Sequence, residues 1–191
     1  MGALKLAAVP STPPDAELVE RVVAGDPTAF EAIYRRHVDA TFTLLTRLVG
    51  PHREREDLLQ EVFIRLHPAL LRFRGEASLR TLVFRIATRV AMDHFRHAGR
   101  RPLEFTELDD EPATTISPAE TLQQREELLR ALAQLARLTS DQRVAFVLHE
   151  VMDLTYDEAA AIVEASPDAV RMRVAAARRA LDRDHGAGGS P

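Results

Sequence analysis

Residues suited to holding phosphates cluster twice in this chain of 191 residues. In a helix that begins near Leu79, Arg85, Arg89, Arg96 and Arg100 fall within about 60° of one another at 100° per residue, which makes one cationic stripe. Phe84 and Phe95 lie off that stripe, with Met92 between. Cations that track a backbone beside rings that stack on bases suit single-stranded nucleic acid. The plainer reading packs the same rings on the helix from 57 to 71. The second cluster lies near the C-terminus. There Val170, Val174, Ala177 and Leu181 make the core side of a helix, and Asp168, Met172, Ala175, Ala176 and Arg179 face away. Arg171 and Arg178 share one flank and Arg173 takes the other, so that small residues approach a groove and arginines reach phosphates on both walls. A third pattern sets Asp57, Gln60, Glu61 and Ile64 along one helical edge. It reads as a docking surface for a partner helix, or as an acidic first turn favoured by the helix dipole.

Catalytic patterns do not accompany these clusters. The seven histidines show no metal-binding spacing, and there is no glycine-rich phosphate loop and no nucleophile with a visible base. His94 and His97 read as structural, and Asp109-Asp110-Glu111 as a solvated run. The absence of cysteine excludes thiolate zinc sites and disulfides. No catalytic residue, metal site or cofactor is expected. The formal charge of −4 conceals an asymmetry: residues 85–101 carry five arginines against Asp93, whereas 102–127 carry eight acids against Arg125. An apolar fraction of 46% supports a cored protein. No apolar run nears the roughly 20 residues of a membrane span. The start lacks a leader pattern. A soluble, intracellular protein is expected, located in the cytoplasm.

The elements that must position these clusters are helices. Asp26-Pro27 is an N-cap with proline at the first helical position, and Gly50-Pro51 ends that helix near Val49. Leu58, Val62, Leu66 and Leu70 define the next apolar face. A loop at 73–77 leads to Ser78, which caps the arginine-bearing helix to about His97. Residues 99–116 carry no period and read as a linker between two domains. Ser117 to Glu120 restarts helix with a capping box. Further boxes at Thr139–Gln142 and Thr155–Glu158, then Ser166-Pro167, open three more helices, the last to about Arg183. Val144, Val147, Leu148 and Val151 form the face behind the first of these boxes. A short helix, a turn of three residues and a basic second helix make a helix-turn-helix. The chain divides into a tail at 1–14, a domain at 15–98, the linker at 99–116, a domain at 117–184 and a tail at 185–191.

The stretch DLLQEVFIRLHPALLRFRGEASLRTLVFRIATRVAMDHFRHAGRRP resembles the second conserved region of bacterial extracytoplasmic-function (ECF) sigma factors. LTSDQRVAFVLHEVMDLTYDEAAAIVEASPDAVRMRVAAARRAL resembles their fourth region, and LVERVVAGDPTAFEAIYRRH is similar to the family's start. The resemblance covers about residues 15–183 and implies an all-α fold of two small helical domains joined by an acidic linker. It implies a non-enzymatic subunit that joins the β and β′ subunits of core RNA polymerase and directs it to promoter DNA. By resemblance, Asp57, Gln60, Glu61 and Phe63 grip the clamp helices of the largest subunit. Phe73, Arg74, Arg80, Phe84, Arg85, Arg89, Arg96 and Arg100 belong to the part that opens the −10 element. Tyr156, Ser166, Asp168, Ala169, Arg171, Met172, Arg173 and Arg178 belong to the unit that reads the −35 element as duplex. The linker would run toward the RNA exit path, and an anti-sigma factor, often membrane-bound in the family, would hold the protein inactive. The chain departs from the family at Leu82, where a tryptophan is usual, at Arg89, where a polar residue is common, and at Ala176, where arginine is frequent. The alternative is a stand-alone helix-turn-helix regulator, which has no use for Asp57–Phe63 or the arginine–aromatic helix. A helical scaffold would contact no DNA at all.

Overall fold

The computed structural model describes residues 13–50, 54–97 and 122–187. The linker at 99–116, Arg100, the Ser117 capping box and residues 1–12 lie outside the described residues. Among the described residues eight α-helices run in order: α1 (Asp15–Val23), α2 (Pro27–Val49), α3 (Arg55–Leu70), α4 (Leu79–His97), α5 (Leu122–Ala136), α6 (Ser140–Phe146), α7 (Tyr156–Val163) and α8 (Pro167–Ala187). A π-helical turn, Val147–Val151, joins α6 to the loop before α7. No strand occurs among the described residues.

Local signals set the helix ends. α1 buries Leu18, Val19 and Val22, then reverses through Gly25, whose φ of 87° lies in the region that suits glycine. The Asp26 carboxylate accepts from the Thr28 backbone N–H at 2.9 Å and from Arg21 at 2.8 Å, so the last turn of α1 is tied to the cap of α2. The Thr28 hydroxyl, foremost among these donors, holds the Asp26 carboxyl down to about 2. α2 buries Ile33, Leu44, Leu45 and Leu48 and ends at Gly50, φ 79°. Ser78 Oγ accepts from the Thr81 N–H at 3.0 Å and opens α4. The boxes at Thr139 and Thr155 both form with reciprocal bonds, to Gln142 and to Glu158. Ser166 Oγ accepts from the Ala169 N–H at 3.2 Å.

α8 extends to Ala187, a turn beyond the expected end near Arg183, so the tail expected from 185 begins as helix. Val151 is exposed rather than part of the α6 face. The π turn explains this, because its wider winding takes the chain out of phase with the α-helical face. His97 is exposed and its Nδ1 bonds the Asp93 carbonyl, while His94 is mostly covered and lies 3.4 Å from Glu54.

α1 to α4 form one helical body and α5 to α8 another, yet the buried residues of both join in a continuous core. The junction is made chiefly by α4, which packs on α2 and α3 within its own body and on α6 and α7 of the other.

Candidate nucleic-acid interface

α3 carries its apolar face inward through Leu58, Leu59, Val62, Phe63, Leu66 and Leu70. Period 3.6 then turns Asp57, Gln60 and Ile64 to solvent, and Ile64 is 70% exposed. Glu61 is half-buried and pairs with Arg65 at 2.6 Å, and Arg65 also reaches Asp93 at 3.1 Å. That hydrogen bond from Arg65 is the main reason the Asp93 carboxyl titrates low. Phe63 is buried beneath the edge, its ring 4.6 Å from that of Tyr34. It therefore shapes the docking edge from below and does not itself form the outer surface.

The cationic helix α4 differs from its sequence expectation. Phe84 is fully buried and its ring lies under the Arg80 guanidinium at 5.0 Å. The expected base-stacking role of Phe84 is thereby corrected: a ring without solvent access is a core element, because α4 is packed on more sides than its wheel suggests. Phe95 is partly buried and sits under Arg143 at 5.1 Å. Three arginines of α4, two of them on the stripe, reach the second body. Arg80 donates to the Met152 carbonyl at 3.3 Å, Arg85 to the Ala161 carbonyl at 2.9 Å and Arg89 to Glu164 Oε1 at 2.7 Å. Arg96 pairs with Asp93 on its own helix. In the loop before α4, Phe73 is half-buried on the core while Arg74 is exposed. Of the departures from family pattern, Leu82 packs against the core, whereas Arg89 is well exposed despite its partner.

Sequence reasoning missed Arg143, a buried polar tie between the bodies. It is 6% exposed and donates to the Leu48 carbonyl at 2.9 Å and the Ala136 carbonyl at 2.8 Å, so it caps the C-terminal ends of α2 and α5 together. Burial pushes its guanidinium down to about 10. An arginine between Gln142 and Val144 gives no sign of burial, since nothing local marks the distant carbonyl it caps. Glu164 was missed as well. It ends α7 in the left-handed region at φ 54°, where a side chain other than glycine is unusual, and it points its carboxylate at Arg89. A cleft of about 430 Å³ lies along this junction, lined by arginines 65, 89, 96 and 173 together with Asp93, Asp141 and Glu164.

α8 matches its wheel. Val170, Val174 and Ala177 are buried, Leu181 is partly covered, and Met172 is 73% exposed. Asp168, Arg171 and Arg178 are exposed, Ser166 is exposed at the cap, and Ala169, Ala175 and Ala176 are half-buried. Arg171 pairs with Asp168 at 2.7 Å and lies over the Tyr156 ring at 5.0 Å. Arg178 pairs with Glu150. Arg173, on the other flank, turns toward the cleft and meets Asp141 at 3.3 Å. The turn between α7 and α8 spans Glu164, Ala165 and Ser166, the length expected of a helix-turn-helix.

Among the described residues no group of three or more His, Cys, Asp or Glu side chains is placed to hold a metal ion, and no helix is long and apolar enough to cross a membrane. What the surface offers is an acid-and-amide edge, an arginine stripe and an arginine-flanked recognition helix. Comparisons with known proteins give the family. The family model for Sigma-70 region 2 matches residues 33–101, and that for Sigma-70 region 4 matches 126–181. RNA polymerase sigma-H factor of Pseudomonas aeruginosa is 33% identical, over 88% of this chain and 92% of its own. ECF RNA polymerase sigma-E factor of Escherichia coli is 35% identical, with the same coverage of both chains. The solved structure of CnrH in complex with the cytosolic domain of CnrY is similar at a TM-score of 0.68 and 26% identity, over 91% of this chain and 97% of that one. Sigma factor RpoE of Bartonella quintana, solved with the anti-sigma factor NepR, shares the fold at a TM-score of 0.61 and 23% identity, over 81% of this chain and 94% of that one. The chain belongs to the sigma-70 family of RNA polymerase sigma factors, within its ECF group.

Proposed function

We propose that this chain is a non-enzymatic, cytoplasmic subunit that joins core RNA polymerase and directs it to promoters, with the two helical bodies as its working domains. In this reading the α3 edge, with Asp57, Gln60, Glu61 and Ile64 above the buried Phe63, docks on the polymerase clamp helices. The loop residues Phe73 and Arg74 and the arginines of α4 (Arg80, Arg85, Arg89, Arg96 and Arg100) serve the opened −10 strand. α8 reads the −35 duplex through Ser166, Asp168, Ala169, Arg171 and Met172, with Arg178 on a phosphate wall, Arg173 on the other and Tyr156 alongside. The observation that carries the reading is the presence, in one chain, of an exposed docking edge on α3 and an arginine-flanked recognition helix. A stand-alone regulator would need only the second.

The covered stripe adds a condition. Arg80, Arg85 and Arg89 cannot follow a DNA strand while they hold α7 and the loop before it, so the bodies must part before the promoter opens. Control by an anti-sigma factor fits the same geometry. CnrH is solved in complex with the cytosolic domain of CnrY, and RpoE with the anti-sigma factor NepR; a partner of this kind would silence this chain by keeping α4 against α7.

Transcription in vitro with core polymerase, on a pool of fragments from the source genome, tests the proposal. The expected result is transcripts with discrete starts that appear only when this chain is added, together with poor duplex binding by the chain alone. Tight, sequence-specific duplex binding by the isolated chain with no added transcription would favour the stand-alone regulator and overturn the proposal.

A further inference from the structure

The recognition helix is braced by the π turn that precedes it in the chain. In that turn the His149 imidazole stacks on the Tyr156 ring, with centroids 4.0 Å apart and planes 24° from parallel. The Arg171 guanidinium lies over the same ring at 5.0 Å. Three elements are thus threaded together: the π turn, the first residue of α7 and the second turn of α8.

Each link is itself fixed. His149 Nδ1 is 2.7 Å from the Leu154 carbonyl, and because a carbonyl only accepts, Nδ1 carries the proton. Tyr156 follows Thr155 directly, whose capping box with Glu158 sets the start of α7. Arg171 is drawn from its other side by Asp168 at 2.7 Å. The next residue of the turn, Glu150, takes Arg178. Arg171 and Arg178 are seven residues apart and share a flank of α8, so neighbouring residues of one turn orient both. π turns of this kind recur at functional sites because they re-aim side chains that an α-helix would carry elsewhere.

A free arginine side chain loses rotamer freedom when it grips a phosphate, and an arginine already laid on a ring has lost part of it beforehand. We infer that His149 is a positioning residue for duplex recognition: it holds the Tyr156 ring, which holds Arg171 at the groove flank. The inference rests on the −35-reading role proposed for α8. Arg173 lies on the opposite flank against Asp141 and takes no part in the stack, which makes it the control.

The experiment uses holoenzyme reconstituted from the full chain and core polymerase. The probe is a duplex selected by the wild-type holoenzyme from a random-sequence pool. His149→Ala should weaken binding roughly two- to tenfold, the range of one aromatic contact. His149→Phe, which keeps a ring on Tyr156, should restore most of that loss. In an Arg171→Ala background His149→Ala should add almost nothing, while in an Arg173→Ala background it should keep its full factor. A loss that is equal in both backgrounds, or that His149→Phe does not recover, would show a general structural role and overturn the inference. A second readout needs no DNA: in the free chain the Arg171 side-chain proton signals should carry a ring-current shift that His149→Ala alters. Signals unmoved by His149→Ala would also sink the inference. A wild-type holoenzyme that selects no fragment would count against the function proposed above, and the Arg171 signals would still decide the stack.

Discussion

Two cationic or polar surfaces of this sigma factor stand in opposite states. On α3 the edge proposed for docking is open: Asp57 and Gln60 are exposed and Ile64 is 70% exposed. On α4 the arginine stripe is partly occupied, with Arg85 on a carbonyl of the second body and Arg89 on Glu164, while Arg80, off the stripe, also reaches that body. The difference follows the order in which the surfaces are needed. Under the proposed roles, assembly with polymerase would come first and use the open edge, and strand opening would come later and use the covered arginines. The cover is also of a kind that releases. The Arg89–Glu164 pair leaves both side chains more than half exposed, and an exposed pair contributes about 0–1 kcal/mol. Arg143 is the exception, since its bond to the Leu48 carbonyl is buried and a separated pair of bodies must rehydrate or re-pair both groups.

The largest effect should come from Phe84, and it tests whether the covered helix is partly core. Burial of the whole ring predicts that Phe84→Ala loses about 3–5 kcal/mol in denaturant unfolding. A template with a pre-formed bubble should not rescue its transcription, because the defect is in folding. Near-normal stability with a selective defect on closed duplex would return Phe84 to a stacking role.

The open edge is broken by Gln60→Ala together with Glu61→Lys. Gln60→Ala is a surface change of about 0.5 kcal/mol or less, and Glu61→Lys, which also reverses the partly exposed pair with Arg65, costs about 1 kcal/mol, so helical content should hold. Affinity for core polymerase should fall more than about tenfold if the edge is a hot spot of the interface. Pull-down with core enzyme reads this directly, and unimpaired association would remove the docking role from α3.

The stripe and the recognition helix separate on their dependence on an opened strand. Arg171→Ala and Arg178→Ala should weaken closed complexes and flatten the salt dependence by about 0.9 in log–log slope for each phosphate no longer neutralised. A bubble template should not help them. Arg85→Ala and Arg89→Ala should leave closed complexes in place, slow opening, and recover on the bubble, which spares the few kcal/mol of unstacking. Equal rescue of both groups would end the division of labour between α4 and α8.

How much of this was legible in sequence depended on the range of the interaction that decides it. Signals confined to a few residues were readable: the Asp26 cap, the stop at Gly50, and the boxes at Thr139 and Thr155 all stand where residue type alone puts them. The α8 wheel was readable too, because one side of it is buried within its own body. Interactions between the bodies were not. A wheel drawn for α4 assumes one buried face, whereas α4 packs on both bodies, which occupies part of the stripe, and Phe84 is fully buried. Arg143 is indistinguishable in sequence from a solvated arginine, and the π turn leaves no residue signature that separates it from continuing α-helix.

The smallest predicted effect probes how the stripe is held. Glu164 sits at φ 54°, a conformation that costs a side chain other than glycine about 1 kcal/mol or more. Glu164→Gly therefore relieves strain while it deletes an exposed ion pair of at most about 1 kcal/mol, and the two changes nearly cancel in overall stability. The closure of the bodies should not cancel, because only the ion pair acts across the junction. Raising salt screens such a pair, so in the wild type the distance between labels on α3 and α8 should grow with ionic strength. In Glu164→Gly the distance at low salt should already be larger and should respond less to added salt. Glu164→Gln, which keeps the strained backbone and loses only the charge, should match Glu164→Gly in its salt response and fall below it in stability. If both variants keep the wild-type salt response, the pair does not hold the stripe, and closure then rests on the buried Arg143 and on the carbonyls that receive Arg80 and Arg85.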